Sequence, residues 1–239
     1  DSRQMARITA AGAISPWAEE LGKKLLILRG AGGTGKTVMM LQMAWRQYKE
    51  ENARSLFLTY NLALVADMRR LMTLLGVGDI HGENTISPQT AHSFFLGLFK
   101  DMGFLADGED FLSSYPEHLK ELKRVTNEGA SSREKLDEII AKHPEKYKWD
   151  HVFIDEGQDW PSEERDILFN IYGPSRLCIA DGKNQLVRHD CPCNWTENID
   201  SEETELVNLY RGLRMKGNLA RFLNLFLVEL GLEGFQVEP

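Results

Sequence analysis

Short apolar stretches alternate with longer segments of helical apolar spacing in the first third of the chain. The short stretches, "KLLILRG" at 24–30 and "SLFLT" at 55–59, have the length and composition of buried strands. Each is followed by a segment with apolar residues every three or four positions, at 37–50 and at 62–76, which predicts an amphipathic helix. This alternation predicts parallel strands that are joined by helices.

The same alternation returns in the second half of the chain. Strands are predicted for "HVFID" at 151–155 and "RLCIA" at 176–180, and "PSEERDILFNIYG" at 161–173 predicts a helix with Pro in its first turn. The chain then returns to an apolar stretch, "ELVNL" at 205–209, and to a predicted helix from about Gly217. The predicted fold class is α/β, a parallel sheet with helices on both faces.

Residues 96–148 interrupt the alternation, because they have helical periodicity, many charges and no convincing strand. We interpret them as a small helical insertion. The predicted organisation is a core formed by 1–95 and 149–200, this insertion, and a last segment at 201–239. The insertion contains one basic patch that could contact nucleic acid, formed by Lys120, Lys123 and Arg124.

Composition excludes several classes of protein. The 239 residues are 42% hydrophobic and 27% charged, which is typical of a globular domain. No apolar run approaches the ~20 residues that cross a bilayer, so no membrane contact is expected. The net charge of −8 excludes nucleic-acid binding through overall positive charge and requires a local groove instead. The N-terminus has neither a signal-peptide pattern nor an initiator Met, so we expect a trimmed piece of a cytoplasmic protein.

The three cysteines, an odd number, argue against a disulfide framework. "HDCPC" offers His189, Cys191 and Cys193 as conceivable metal ligands. Because a second ligand pair at zinc spacing is missing from the sequence, reduced thiols in a loop are favoured over a metal site.

The segment "GAGGTGKT" at 30–37 has the spacing of a phosphate-binding loop between a strand and a helix. Its glycines allow successive backbone N–H groups to point at phosphate oxygens, with the positive end of the helix behind them. Lys36 is then expected to reach the β- and γ-phosphates, and the Thr37 hydroxyl to bind Mg²⁺. The residues expected to hold ATP here are Gly30, Ala31, Gly32, Gly33, Thr34, Gly35, Lys36 and Thr37. The alternative is a flexible glycine-rich turn.

Acidic and amide side chains crowd the end of the strand in "HVFIDEGQDW". In nucleotidases with a phosphate-binding loop, a second strand delivers an Asp to the same Mg²⁺. Asp155 lies at the carboxyl end of its predicted strand, where open α/β sheets bind ligands. Glu156 is positioned to take a proton from the attacking water. The alternative is a solvated acidic loop.

Together, the phosphate loop and "DEGQD" at 155–159 resemble the superfamily 1 helicases of the UvrD/Rep type, whose second motif is commonly D-E-x-Q-D. The resemblance implies a RecA-like P-loop NTPase core that acts as an ATP-dependent DNA helicase or translocase. It implies ATP and Mg²⁺ as cofactors, and single-stranded nucleic acid and a second motor domain as partners. Gln158 would link the nucleotide to the coupling machinery.

Further motifs occur in the order of that family. "DSRQ" at 1–4 is similar to the motif whose glutamine, here Gln4, contacts adenine. "LFLTYNLALVADMRRL" resembles the motif after the second strand, with Tyr60 and Asn61 at its centre. "TAHSFF" resembles the element that faces single-stranded DNA, which implies nucleic-acid contacts for His92 and Phe94. Because Phe94 begins an apolar helical run, core packing is the equal alternative for its ring.

Two motifs follow the acidic segment. "LCIADGKNQ" is similar to the strand whose glutamine, here Gln185, senses the γ-phosphate. "LYRGLRMKGNLARF" resembles the motif whose arginine contacts the γ-phosphate; leucine spacing favours Arg214, and Arg211 is the competing assignment. The spacing from Asp181 to Gln185 is one residue longer than usual in the family, and the aromatic residue that follows the glutamine there is missing, since the next tryptophan is Trp195.

The later motifs of the family have no counterpart before Pro239. The resemblance therefore implies a first motor domain and the opening of a second. It also implies weak ATP hydrolysis by residues 1–239 alone, because the arginine of the later motifs, which completes the ATP site, is absent from these residues. Two other functions remain open. One is a nucleotide-dependent switch or assembly ATPase that does not unwind nucleic acid, and the other is a motor that powers an attached nuclease in DNA repair or phage defence.

Overall fold

A single sheet of six parallel strands forms the centre of the chain. The computed structural model describes residues 2–9, 16–78, 82–105, 110–127, 130–182 and 192–210. The strands are β1 (Leu25–Gly30), β2 (Arg54–Thr59), β3 (Thr85–Thr90), β4 (His151–Ile154), β5 (Leu177–Asp181) and β6 (Thr204–Leu209). Their order across the sheet is β3-β2-β4-β5-β1-β6.

Helices cover both faces of this sheet. They are α1 (Ser2–Thr9), α2 (Lys36–Glu50), α3 (Leu62–Leu74), α4 (Ala91–Met102), α5 (Phe111–Asn127), α6 (Ala130–Lys142), α7 (Pro144–Tyr147) and α8 (Ser162–Tyr172). Helices α1 to α3 pack on one face, and α4 to α8 pack on the other. The predicted α/β class, a parallel sheet with helices on both faces, is confirmed.

Strand periodicity explains why each face has its own core. Leu56 and Leu58 of β2 pack into the core under α4 to α8, whereas Phe57 between them packs into the core under α1 to α3. This alternation follows from the two-residue period of a strand. Central strands of a parallel sheet are buried on both faces, so they consist of continuous apolar runs instead of alternating ones. That is why β1, β4 and β5 could be recognised from sequence.

The edge strand β3 was missed by the sequence analysis. Its sequence, "TISPQT", contains Pro88 and polar residues, and it has no continuous apolar run. Proline is confined to edge strands because it cannot donate to the ladder, and β3 pairs only with β2 among the described residues. Strand β3 leads directly into α4 and so carries the "TAHSFF" segment to the carboxyl edge of the sheet.

The opposite edge strand, β6, lies beside β1 with Leu209 paired to Gly30. The sheet therefore continues beyond residue 200, into the last segment of the predicted organisation. Helices α5 to α7 occupy most of the predicted insertion at 96–148. Within the described ranges, none of the helices has the length and apolar character needed to span a membrane. Because all strands are parallel, their carboxyl ends meet at one edge, where ligands bind in folds of this kind.

Candidate functional site

The phosphate-binding loop connects β1 to α2 in a conformation that requires glycine. Gly33 and Gly35 have φ angles of 82° and 90°, in the left-handed region that side chains other than glycine rarely adopt. A Cβ atom on Gly30 would lie 2.6 Å from the Leu209 carbonyl oxygen of β6. The loop is therefore shaped both by its own backbone and by its close approach to the neighbouring strand.

Lys36, the first residue of α2, folds back over this loop. Its Nζ donates hydrogen bonds to the carbonyl oxygens of Gly30, at 2.7 Å, and Ala31, at 3.1 Å. Burial lowers the pKa of Lys36, and the nearby carboxylates of Glu156 and Asp155 act in the opposite direction. The ammonium group thus lies in the mouth of the loop with hydrogen bonds that a phosphate oxygen could replace.

Thr37 and Asp155 are brought together although they are far apart in sequence. The Thr37 hydroxyl donates to Asp155 Oδ1 at 3.2 Å, and the Thr59 hydroxyl donates to Oδ2 at 3.3 Å. Burial and the charge of Glu156 raise the pKa of Asp155 to about 6, against these two hydrogen bonds and the charge of Lys36. Thr59 was not singled out in the sequence, although a polar residue that ends an apolar strand was an available signal.

These oxygens suit Mg²⁺, which prefers carboxylate and hydroxyl ligands and retains several waters. A buried carboxylate that is costly to ionise gains most from a bound cation, because the cation's charge offsets the cost. Thr37 and Asp155, the two expected metal ligands, could hold the ion together with phosphate oxygens of a nucleotide. We call the loop at 30–37 with Asp155 and Glu156 the metal–phosphate site.

Glu156 has a backbone conformation that is unusual for a glutamate. Its φ and ψ are 48° and 49°, in the left-handed region, which costs on the order of 1–2 kcal/mol. The side chain is exposed and lines a cavity of about 410 Å³ beside the phosphate loop. Gln158 Nε2 donates to Glu156 Oε2 at 2.8 Å, and the Gly182 N–H donates to Gln158 Oε1 at 2.7 Å. The buried Gln158 amide thus joins Glu156 to the segment after β5.

Gly157 is a site residue that the sequence analysis did not single out. A Cβ atom there would lie 2.3 Å from Ile179 Cγ2 and 3.0 Å from Trp195 Nε1. Trp195 donates from Nε1 to the Gly157 carbonyl at 2.8 Å and is buried, so its ring supports the acidic segment from behind. The available signal in the sequence was the presence of glycine at the variable position of the D-E-x-Q-D motif.

Aromatic side chains pack next to the metal–phosphate site. We define the aromatic cluster as Tyr60, His92, Phe111, Tyr115 and Trp160. His92 contacts Tyr60 edge-on with 5.2 Å between ring centroids, and Tyr115 with 5.3 Å. Tyr60 also packs on Trp160 at 5.1 Å, and Phe111 on Tyr115 at 5.0 Å. The members come from the end of β2, from the helices α4 and α5, and from the segment between β4 and α8.

A hydrogen bond joins this cluster to the metal–phosphate site, because Trp160 Nε1 donates to the Asp155 carbonyl at 3.1 Å. Trp160 is 1% exposed and anchors the segment between β4 and α8. On the other side of the cluster, the hydroxyls of Tyr60 and Tyr115 both donate to the buried carboxylate of Glu164. Glu164 was also missed, because nothing in the sequence distinguishes it from the other acids of α8.

Three of the four residues expected to contact nucleic acid lie at or near the surface. Tyr60 and His92 are half-buried, and Asn61 is exposed. Asn61 also has a structural role, since its side chain accepts a hydrogen bond from the Leu64 N–H at 3.1 Å and caps α3.

Phe94 lies inside the core. It is 3% exposed, and its ring packs edge-on against Phe95, at 5.4 Å between centroids, and Tyr147, at 6.1 Å. The prediction that Phe94 contacts nucleic acid is wrong, because a ring inside the core has no face that a base could reach.

The basic patch of the insertion is largely paired with acids. Lys123 forms an ion pair with Asp166 at 2.7 Å, and Arg124 with Glu121 at 2.6 Å. Lys120 is exposed. The positive charge that this helix can offer to a phosphate backbone is smaller than the sequence indicates.

The side chains of several expected site residues lie outside the described part of the chain. Gln185, Arg211 and Arg214 lie outside the described residues. Gln4 is in α1, but its side chain is likewise outside the description. Of the conceivable metal ligands in "HDCPC", Cys193 lies within the described residues, where burial raises the pKa of its thiol to about 12.

Comparison with known protein families gives a match over most of the chain. The family model described as "Type III restriction enzyme, res subunit" matches residues 6–157, a range that includes the phosphate loop, the strand β2 and the acidic segment through Gly157. A search of curated proteins finds no match. The matched family is of the ATPase and helicase type, which agrees with the metal–phosphate site. The chain belongs to this family, the res subunits of type III restriction enzymes, and is a helicase-superfamily motor domain.

Proposed function

We propose that this chain is the ATP-hydrolysing motor domain of a DNA helicase or translocase of the superfamily 1 type. It would bind ATP with Mg²⁺ and couple hydrolysis to single-stranded nucleic acid, with DNA favoured. One observation carries the proposal: the backbone carbonyl of Asp155, a residue of the metal–phosphate site, accepts a hydrogen bond from Trp160 of the aromatic cluster, near the carboxyl ends of β2 and β4. This hydrogen bond would connect the ATP chemistry to the proposed single-strand contact.

The phosphate chemistry follows from the metal–phosphate site. The backbone N–H groups of the loop and the Lys36 ammonium would hold the β- and γ-phosphates once Lys36 exchanges its carbonyl partners for phosphate oxygens. Mg²⁺, held by Thr37 and Asp155, would neutralise charge on the phosphates. Glu156 would accept a proton from the water that attacks the γ-phosphorus. Its hydrogen bond from Gln158 orients the carboxylate for this role.

Gln158 supports the superfamily 1 assignment over a generic P-loop ATPase. In the sequence "DEGQD", its amide connects the proposed general base, Glu156, to Gly182, which precedes the proposed γ-phosphate sensor Gln185. A change at the γ-phosphate would then reach Glu156 through Gln185, the chain between Gln185 and Gly182, and the Gln158 side chain. The family match supports an ATPase of the helicase type, and the resemblance of the ordered motifs adds the finer assignment.

Tyr60, Asn61 and His92 would form the single-strand contact. Aromatic rings stack on bases without reading sequence, which is what a translocating motor needs. Tyr60 and His92 are half-buried, so part of each ring is open to solvent while the rest is held by the aromatic cluster.

The remaining expectations are proposals of the same kind. Gln4 would contact adenine, and Arg214 or Arg211 would contact the γ-phosphate as part of a second motor domain. An odd number of cysteines, with Cys178 and Cys193 free thiols, supports a cytoplasmic location, where thiols stay reduced.

The test is the steady-state ATPase activity of the full-length protein, with and without single-stranded DNA. The proposal expects DNA to stimulate the rate and Glu156→Gln to abolish the stimulated activity. An unstimulated rate, together with unchanged activity in Glu156→Gln, would reject it.

A nucleotide-dependent switch or assembly ATPase, alone or attached to a nuclease, is the second candidate. It is favoured by the net charge of −8 and by the ion pairs that occupy Lys123 and Arg124 of the basic patch. A strand-displacement assay separates the two candidates, because a switch would hydrolyse ATP without displacing the strand.

A further inference from the structure

Glu164 is the third residue of α8, and its side chain is fully buried. A buried carboxylate is costly unless hydrogen bonds or charges compensate it. Here the Tyr60 hydroxyl donates to Oε2, and the Tyr115 hydroxyl donates to Oε1. One side chain therefore joins the end of β2, the insertion helix α5 and the helix that follows the acidic segment.

The two tyrosines whose hydroxyls donate to Glu164 also pack their rings against His92. The Tyr60 and Tyr115 rings both meet the imidazole edge-on, at 67° and 81° between ring planes. Movement of either hydroxyl away from Glu164 would change the ring surface that Tyr60 and His92 present to solvent. The other face of Tyr60 is limited by Trp160, with centroids 5.1 Å apart.

A second contact between the same two helices supports the fixed position of α5. Lys123 forms its 2.7 Å ion pair with Asp166, two residues beyond Glu164 on α8 and two helical turns beyond Tyr115 on α5. The Tyr115 and Lys123 contacts hold α5 along α8, so the tyrosine that reaches Glu164 is supported by its own helix.

We propose that Glu164 is a positioning residue for single-strand binding: its carboxylate fixes Tyr60 and Tyr115 and thereby the surface that Tyr60 and His92 offer to a base. The inference rests on the proposed function, in which Tyr60 and His92 contact nucleic acid. It adds a residue that does not touch the strand, and it assigns the insertion helix α5 a part in shaping the contact.

The test compares Glu164→Gln with Glu163→Gln in the full-length protein. Glutamine replaces one acceptor oxygen by an NH₂ group, so one tyrosine hydroxyl loses its acceptor. Binding is measured by fluorescence anisotropy with a labelled oligothymidylate of about 16 nucleotides. Glu164→Gln should raise the Kd about fivefold or more, which corresponds to the lower end of the cost of a buried polar group that is left unpaired. Glu163→Gln, on the same helix turn, should leave the Kd unchanged, because within the described part of the chain its side chain accepts a hydrogen bond only from the exposed Ser162 hydroxyl.

A double-mutant cycle separates positioning from a general loss of structure. If Glu164 acts through the tyrosine hydroxyls, Glu164→Gln should add little to the Kd of a variant that already carries Tyr60→Phe and Tyr115→Phe. Fully additive effects would overturn the proposal. If Glu164→Gln does not fold, Tyr115→Phe alone decides: weaker oligonucleotide binding supports the proposal, and unchanged binding overturns it.

The binding measurements distinguish rejection of the proposed function from rejection of the role of Glu164 alone. If the unmodified protein does not bind the oligonucleotide, the proposed function and this inference are both rejected. If the unmodified protein binds and Glu164→Gln binds equally well, only the role of Glu164 is rejected.

Discussion

At the carboxyl ends of β2 and β4, the metal–phosphate site and the aromatic cluster lie side by side but are assembled differently. The metal–phosphate site takes its loop from one continuous stretch, 30–37, and its carboxylates from another, 155–156. The aromatic cluster takes five residues from four parts of the chain and depends on Glu164, from a fifth. Local backbone geometry builds the first region, whereas tertiary packing builds the second.

This difference has a consequence for the effect of mutations. In the metal–phosphate site, a substitution acts on charge and backbone conformation at one point, so its effects should be large and chemically specific. In the aromatic cluster, each ring has several neighbours, so the loss of one hydroxyl should have a smaller effect on stability. The predictions below test that contrast.

Glu156→Gln should have the largest effect. Without a general base, kcat should fall about 10²–10⁴-fold, while binding of ATP with Mg²⁺ is retained. Steady-state ATPase of the full-length protein and fluorescent-nucleotide binding measure the two parts. Glu163→Gln is the matched control and should keep the normal kcat. A Glu156→Gln enzyme with normal kcat would remove Glu156 from the chemistry.

Gly157→Ala should destabilise the fold by about 3 kcal/mol, the upper range for overpacking, because its Cβ would lie 2.3 Å from Ile179 Cγ2. Urea denaturation of this chain measures the free energy of unfolding. Gly78→Ala is the control, since its Cβ would meet only the Asn84 carbonyl oxygen, at an ordinary 3.5 Å. Equal stability of the two variants would contradict the packing behind the acidic segment.

Asp155→Asn should stabilise the metal-free protein above pH 6. The pKa of Asp155 is raised to about 6 from 3.8, so ionisation of this carboxylate costs the folded state free energy as pH rises between these values. The pH-dependent part of the gain should be about 2–3 kcal/mol at pH 7.5 and should disappear as pH falls through 6 toward 4. The acceptor oxygen that Thr37 or Thr59 loses to the Asn NH₂ group lowers the stability of the variant by an amount that does not change with pH.

Urea denaturation at several pH values, with a chelator present, measures this difference. Asp150→Asn is the control for a solvent-exposed acid. A stability difference between Asp155→Asn and the unmodified chain that does not change with pH would show that Asp155 is not held at a raised pKa.

Tyr115→Phe should cost about 1–2 kcal/mol, because Glu164 loses one of its two tyrosine donors. Tyr172→Phe is the matched comparison, since this buried hydroxyl has no hydrogen-bond partner in the described part of the chain. Its removal should be neutral or slightly stabilising. Thermal and urea denaturation measure both, and an equal loss of stability would contradict the role of Glu164 as acceptor.

The sequence predicted the features that local backbone geometry and burial determine better than those that tertiary packing determines. The phosphate loop and the strand before Asp155 were predictable, because a short glycine-rich spacing and a continuous apolar run have few other structural meanings. The central strands β1, β2, β4 and β5 and the helices α2, α3 and α8 were also predicted correctly. Their patterns are set by burial on both faces of the sheet or on one face of a helix.

What the sequence did not predict depends on contacts between distant residues. The edge strand β3 has no apolar run, and its pairing with β2 decides its conformation. Phe94 and Glu164 have ordinary sequence neighbours, and only packing distinguishes a core ring from a surface ring or a buried acid from a solvated one. The need for glycine at 157 arises from Ile179 and Trp195, which lie 22 and 38 residues away.

The central claim is that nucleotide in the metal–phosphate site changes how the aromatic cluster holds a single strand. The most direct measurement is the Kd of a labelled oligothymidylate for full-length Glu156→Gln protein, which cannot complete hydrolysis, with ATP and Mg²⁺, with ADP and Mg²⁺, and with neither. If nucleotide controls the single-strand contact, the Kd should differ about fivefold or more between nucleotide states, the range of an ordinary coupling free energy. The same Kd in all three states would contradict the central claim.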